Sequence, residues 1–292
     1  METEAQFTSI GSSLQVPSVQ ELAKRPMITI PPQYVRDDQD PLIISDTSSS
    51  PDIPVIDLQG LLSSDSMNSE LEKLHSACKE WGFFQLINHG ISSAMVEKVK
   101  QEIEDLFNLP MEEKKSCGKS QVLRAEEREL MEGGLMQALR INYYPPCPKP
   151  ELVLGVTPHS DGSLLTIVLQ LNQVDGLQIK KDGMWIPIRP LPSAFVVNVG
   201  DSLEILSNGI YKSIQHRAVV NSEKERISVA AFHSPKFEGE LGPAPSLVTP
   251  ETPALFKRVG IAEYYRRYLA RKLHEKSNIE AMRIQNEEGE NN

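Results

Sequence analysis

His159-Ser160-Asp161 sets an imidazole and a carboxylate two residues apart. In extended backbone, residues i and i+2 project to the same side, so this pair can converge on one point without a special turn. Such a tripeptide is common by chance, and as a metal site it needs a third ligand. His216 is the candidate, in an apolar run with Ile214 and Ala218 on its face. Taken alone, His216 reads better as a core histidine bonded to a backbone carbonyl. Context favours the ligand, because Arg226-Ile227-Ser228 follows ten residues later with the same i, i+2 spacing. A forked guanidinium beside a hydroxyl is suited to gripping a carboxylate. An arginine turned into a β core would be an uncompensated charge, so it either faces out or meets an anion. Two imidazoles and one carboxylate leave three positions open on six-coordinate iron(II). A 2-keto acid could chelate two of those positions while its far carboxylate, as in 2-oxoglutarate, reaches Arg226 and Ser228.

Strand parity extends the set. Arg226, Ser228, Ala230 and Phe232 share one face, which makes Phe232 the substrate-contact candidate, with a plain core aromatic as the equal alternative. His233 falls on the opposite face and is not counted as a ligand. His75, His89 and His274 have no partner at ligand spacing and read as structural or surface residues. Cys78, Cys117 and Cys147 are odd in number and irregularly spaced, which fits reduced structural thiols better than a disulfide framework or a thiolate zinc site.

These side chains need a scaffold. From Leu139 to His233 the chain reads as short strands between turn signals: Leu139–Tyr144, Leu164–Leu171, Gly176–Lys180, Trp185–Ile188, Ala194–Val199, Tyr211–Val220 and Arg226–Phe232. That spacing indicates a sandwich or barrel. Ahead of it lie a polar leader with a short helix near Pro17–Lys24, a strand at Ile53–Leu58, a helix over Ser69–Lys79, a strand over Trp81–Asn88 and an apolar-striped helix over Ser92–Asn108. Lys114–Met136 is charged and poor in bulky apolar residues, with a helix expected around Ala125–Met131. Thr252–Arg283 has a helical pattern, and Gln285–Asn292 reads as a frayed tail. The organisation expected is thus an N-terminal α/β region (1–115), a connector (116–138), a core of short strands in a sandwich or barrel (139–240) and a C-terminal helical segment with tail (241–292).

Composition excludes several classes. With 292 residues, 39% hydrophobic and 24% charged, the chain can bury a sizeable core, and 21 prolines favour many short elements over a helical bundle. The net charge of −10 with no basic stripe argues against nucleic acid as a partner. Met1–Leu14 is acidic and lacks the apolar core of a signal peptide, and no later run is long enough for a membrane span. The expectation is a cytoplasmic monomer acting on a small molecule, with entry to the nucleus left open.

Seven motifs together resemble the plant 2-oxoglutarate/Fe(II)-dependent dioxygenase superfamily, in the senescence-related-gene-type branch near the alkaloid O-demethylases. They are PSVQELAK (Pro17–Lys24), IPVIDL (Ile53–Leu58), ACKEWGFFQLINHG (Ala77–Gly90), NYYPPCP (Asn142–Pro148), PHSDG (Pro158–Gly162), NVGDSLEILSNG (Asn198–Gly209) and RISVAAFHS (Arg226–Ser234). The resemblance implies a mainly β fold with flanking helices around a double-stranded β-helix, the cupin-like jelly roll. It implies iron on His159, Asp161 and His216, and 2-oxoglutarate on Arg226, Ser228, Asn142 and Tyr144. O2 would be the oxidant and ascorbate a reductant, with succinate and CO2 released as a small plant metabolite or hormone is hydroxylated, O-demethylated or desaturated. One departure stands out: the family carries several dozen residues between the counterpart of Glu112–Lys115 and the element leading into Asn142, and here that block is missing. Ile227, Val229 and Ala231 form an apolar outer face that needs a helical cover, so exposed apolar surface and reduced stability are expected. The competing reading is a catalytically impaired chain that acts at most through binding.

Overall fold

The computed structural model describes residues 18–24, 29–36, 53–117, 135–270 and 278–285. In chain order the elements are α1 (Val19–Ala23), a 3-10 turn (Pro32–Tyr34), β1 (Val55–Asp57), α2 (Leu58–Leu61), α3 (Met67–Ser76), a π turn (Ala77–Trp81), β2 (Phe83–Ile87), α4 (Ser93–Asn108) and α5 (Met111–Cys117). The core follows as β3 (Leu135–Tyr144), β4 (Leu154–His159), β5 (Leu165–Gln170), β6 (Leu177–Lys181), β7 (Met184–Pro187), β8 (Phe195–Val199), α6 (Asp201–Leu206), β9 (His216–Val219) and β10 (Arg226–Pro235). A small β11 (Glu240–Leu241) and β12 (Val259–Gly260) lead to α7 (Ile261–Ala270) and α8 (Asn278–Met282).

Two sheets face each other across the core. One has the order β1-β2-β8-β5-β10-β3 and the other β4-β9-β6-β7. Non-consecutive neighbours joined in antiparallel ladders make the jelly roll that the family resemblance implies. Phe83 and Val196 of the larger sheet pack against Leu177, Ile179 and Ile186 of the smaller one, closing one end of the sandwich with apolar contacts. A second cluster, from Ile205, Leu241, Phe256, Ile261, Tyr264, Ile279 and Met282, ties α6, α7 and α8 together.

Several elements differ from expectation for identifiable reasons. The strand expected over Tyr211–Val220 begins only at His216. Lys212 N–H donates to the Cys78 carbonyl and Ser213 N–H to Glu204 Oε2, so these amides are engaged away from the ladder. The strand β4 was not among those expected, because Gly155 and Pro158 interrupt its pattern. It survives as the edge of its sheet, pairing with β9 through two register shifts, where a missing N–H is tolerated. Gly155 is required there: a Cβ would stand 2.6 Å from Cδ1 of Tyr144. Among the described residues the helical stretch expected over Thr252–Arg283 is realised only in α7 and α8, since residues 252–260 turn and pair instead. The helix expected around Ala125–Met131 and the surface or structural role expected for His274 lie outside the described residues.

The outer face of the larger sheet corrects the expectation of a missing cover in part. Ile103 of α4, with Val99 and Phe107, packs on Ile227, Val229, Leu169, Leu171 and Tyr143, and Ile227 is 3% exposed. The serine N-cap of α4 fixes its start, Met95 N–H donating to Ser92 Oγ at 3.3 Å. Cover ends at the edge strand β3, where Leu135, Leu139 and Ile141 are exposed, Leu139 at 74%. A chemical-denaturation series should therefore find Ile103→Ala destabilising by roughly 2–4 kcal/mol, while Leu139→Thr stays within about 0.5 kcal/mol of the parent. Equal effects would mean that α4 does not hold this face.

Candidate metal and co-substrate centre

His159 and His216 lie directly opposite each other in the β4–β9 ladder, so ladder pairing alone puts two imidazoles side by side. Their ring centroids are 4.3 Å apart. Asp161 follows β4 in the turn, and its Oδ1 lies 3.6 Å from His159 Nε2 and 3.7 Å from His216 Nε2. One ligand atom from each of the three residues falls within 4.8 Å of the others, the one such group of three among the described residues.

Each donor is oriented by a second contact. His159 Nδ1 meets the Thr157 carbonyl at 2.8 Å and His216 Nδ1 the Ile214 carbonyl at 3.2 Å. A proton placed on Nδ1 donates to each carbonyl and leaves both Nε2 lone pairs free to face Asp161, the arrangement usual for metal-bound histidine. Asp161 Oδ2 accepts from Thr166 Oγ1 at 2.6 Å and Asn198 Nδ2 at 2.9 Å, which directs Oδ1 toward the histidines. Thr166 and Asn198 are themselves paired across β5 and β8. Burial holds His216 down to about 4, so it is neutral at pH 7 as a metal requires. Burial also works against charge on His159, but the hydrogen bond and charge of Asp161 outweigh it and raise this imidazole above its ordinary value. Asp161 is lowered despite its burial, held there by His216, His159 and Thr166. The donor set, the free lone pairs and the open side toward the cavity fit a divalent metal.

The same cavity contains the predicted co-substrate residues. Ladder register sets Tyr144 opposite Arg226 and Asn142 opposite Ser228, so the four share one face. All four line the cavity with the three metal-ligand candidates, as do Ala230 and Phe232. Arg226 is 3% exposed and its polar partners are neutral: Gln170 Oε1 accepts from Nε at 3.2 Å and Nη2 at 2.9 Å, and Ser228 Oγ from Nη1 at 3.3 Å. Among the described residues no carboxylate lies within ion-pair distance of it. Burial lowers the Arg226 pKa, opposed by the charges of Tyr144 and Asp175. A buried guanidinium in this state is a receptor for an anion.

Other histidines stay apart. His75 meets Tyr211 at 3.3 Å, and His89 meets the Ser193 carbonyl at 2.8 Å and stacks on Phe195. His233 does not line the cavity. Cys78 and Cys147 are free and buried. Sequence reasoning missed Phe83, whose ring stands edge-on to His216 at 5.4 Å, and the supports Thr166 and Asn198. Asn198 carries a readable signal, a lone amide inside the buried run Phe195-Val196-Val197-Asn198-Val199.

Comparison with known proteins decides the family. Residues 135–235 match the model of the 2OG-Fe(II) oxygenase superfamily, and residues 53–133 that of the non-haem dioxygenase in morphine synthesis N-terminal region. The chain is 44% identical to codeine O-demethylase of Papaver somniferum over 362 residues, covering 97% of this chain and 100% of that protein. It belongs to the 2OG-Fe(II) oxygenase superfamily. Protein SRG1 of Arabidopsis thaliana is 42% identical, with 96% of this chain and 100% of SRG1 covered. The solved structure of JOX2 in complex with 2OG, Fe, and JA superposes with a TM-score of 0.77 at 28% identity, covering 93% of this chain and 99% of that one. This oxygenase is therefore an iron- and 2-oxoglutarate-dependent oxidoreductase of the branch near the O-demethylases. Its 292 residues align over 362 with codeine O-demethylase, so several dozen positions of that relative have no counterpart here.

Asp201 links the metal loop to α6. Its N–H donates to the Asp161 carbonyl at 2.7 Å, and its Oδ1 accepts from Ser213 Oγ at 2.7 Å. Burial pushes its carboxyl up to about 7 from an ordinary 3.8. Between those values the folded oxygenase keeps a proton that the unfolded chain has released, so this contribution to stability is present in acid and lost as pH rises toward 7. Asp201→Asn in metal-free protein should flatten the pH dependence of the unfolding midpoint across that window. An unchanged slope would place the proton elsewhere.

Proposed function

We propose that this oxygenase binds iron through His159 Nε2, Asp161 Oδ1 and His216 Nε2, and the far carboxylate of 2-oxoglutarate through Arg226 and Ser228, with Tyr144 and Asn142 beside it. The observation that carries this reading is one cavity holding three converging donors and a buried guanidinium without a carboxylate partner. Bound iron supplies the O2 chemistry in which 2-oxoglutarate becomes succinate and CO2 while one oxygen atom enters a substrate C–H bond.

The chain's own residues do the positioning. Thr157 and Ile214 hold the histidine tautomers, Thr166 and Asn198 aim Asp161, and Gln170 holds the Arg226 fork. Phe232, Phe83, Val168 and Leu177 provide apolar wall, with Phe232 the proposed substrate contact. Fixing a C–H bond within reach of the oxidant is where such an enzyme gains rate and selectivity. O-demethylation of a small specialised metabolite is the first outcome to test, supported by relatives named codeine O-demethylase, thebaine 6-O-demethylase and oxoglutarate-dependent flavonoid 7-O-demethylase 1. Hydroxylation and desaturation need the same residues. We read the protein as a cytoplasmic monomer that uses ascorbate to keep its iron reduced. Among the described residues no helix is long and apolar enough to cross a membrane. Our proposed division is an N-terminal region (1–115), a shortened connector (116–138), the oxygenase core (139–240) and a C-terminal helical segment (241–292). No feature of the centre favours the impaired alternative.

Anaerobic addition of iron(II) and 2-oxoglutarate should produce a weak visible charge-transfer band. Its absence from folded protein would sink the assignment, as would its survival in His159→Ala. Arg226→Gln should weaken 2-oxoglutarate binding by about 10- to 100-fold in calorimetry while leaving metal affinity within a few fold, from the loss of one charge-assisted contact.

A further inference from the structure

A second and larger cavity, open to solvent, lies along the seam between the edge strands β3 and β4, with residues of the leader forming part of its wall. Its volume is about 590 Å³, against about 70 Å³ for the metal cavity, and it is of the size that takes a small organic ligand. The two cavities share Arg140, Asn142, Tyr144 and Val156, so they adjoin. The leader is pinned in place by Arg36 N–H, which donates to the Leu152 carbonyl at 3.0 Å, and by Gln20 Nε2, which donates to the Phe107 carbonyl at 2.8 Å.

The charge of this cavity is unlike that of the chain. Acidic residues outnumber basic ones 40 to 30, yet the lining has two arginines, Arg36 and Arg140, and no Asp or Glu among the described residues. Neither guanidinium has a carboxylate within ion-pair distance among those residues. The remaining wall is mostly apolar or aromatic, with Leu22, Ile30, Tyr34, Tyr143 and Val153 among it. Two forked cations, a half-buried Arg36 and an exposed Arg140, bordering an apolar wall favour a ligand with a hydrophobic body and a planar anionic group. They disfavour a protonated amine by like-charge repulsion.

We infer that this seam cavity is the outer part of the substrate site, continuous with the Phe232 side of the metal cavity, and that it selects an apolar, aromatic-sized molecule bearing a carboxylate, gripped by Arg36 and Arg140. This rests on the metal and co-substrate reading above, since the value of the seam lies in its shared wall with that centre. Arg140 is the pivotal residue. It sits opposite Ala230 in the β3–β10 ladder and on the same face as Asn142, so it lies between the co-substrate residues and the seam.

The test uses the full chain with manganese(II) and saturating 2-oxoglutarate, and 6-methoxy-2-naphthoate as probe beside its carboxamide and the corresponding naphthylmethylamine. Calorimetry should find the carboxylate bound at least about tenfold tighter than the amide, and the amine weakest. Arg36→Gln and Arg140→Gln should each reduce that preference several-fold, and the double variant should abolish it with an unchanged thermal midpoint. Equal affinities for acid and amide, a preference intact in the double variant, or displacement of the naphthoate by excess 2-oxoglutarate would each overturn the proposal. Failure of the co-substrate reading shows separately: Arg226→Gln would leave 2-oxoglutarate affinity unchanged while the naphthoate preference still depended on Arg36 and Arg140.

Discussion

Everything in this core depends on making three electron-pair donors point at one place inside a protein that would otherwise keep them apart. Two imidazoles and a carboxylate in a low-dielectric interior are costly unless each remaining polar atom is occupied. The fold meets that requirement with backbone carbonyls behind both histidines and with Thr166 and Asn198 behind Asp161. What remains free is one lone pair from each residue, and those face a common point.

The jelly roll is suited to this because ladder register does most of the placing. His159 faces His216, Thr166 faces Asn198, Tyr144 faces Arg226 and Asn142 faces Ser228, each as a directly paired residue on neighbouring antiparallel strands. The smaller sheet carries the histidines and the larger one the supports Thr166 and Asn198 together with Arg226 and Ser228. Cover is supplied from outside, by α4 over β10 and β5 and by α7 over the loop that contains Asp161. There the hydroxyls of Tyr265 and Tyr268 donate to the carbonyls of Gly162 and Ser160, each at 3.2 Å. At β3 cover is thinnest, and it is there that apolar side chains reach solvent and the seam cavity opens.

Much of this was legible from local pattern. Alternation along Arg226–Phe232 correctly grouped Arg226, Ser228, Ala230 and Phe232, because a strand's side-chain period does not depend on its neighbours. The i, i+2 spacing of His159 and Asp161 was legible for the same reason. Where backbone groups were engaged by distant partners, pattern misled: Lys212 and Ser213 look like strand but bond to Cys78 and Glu204. Gly155 and Pro158 disguised β4, whose edge position alone makes them tolerable.

By itself the sequence determined which residues could ligate metal and grip a carboxylate, since residue type and short spacing are local properties. Tertiary structure decided which nitrogen of each histidine faces Asp161, what aims Asp161, which helix covers β10, and that Arg36 and Arg140 border one cavity although 104 positions separate them. Those outcomes depend on sheet register and on contacts between segments far apart in the chain, and no local pattern encodes either.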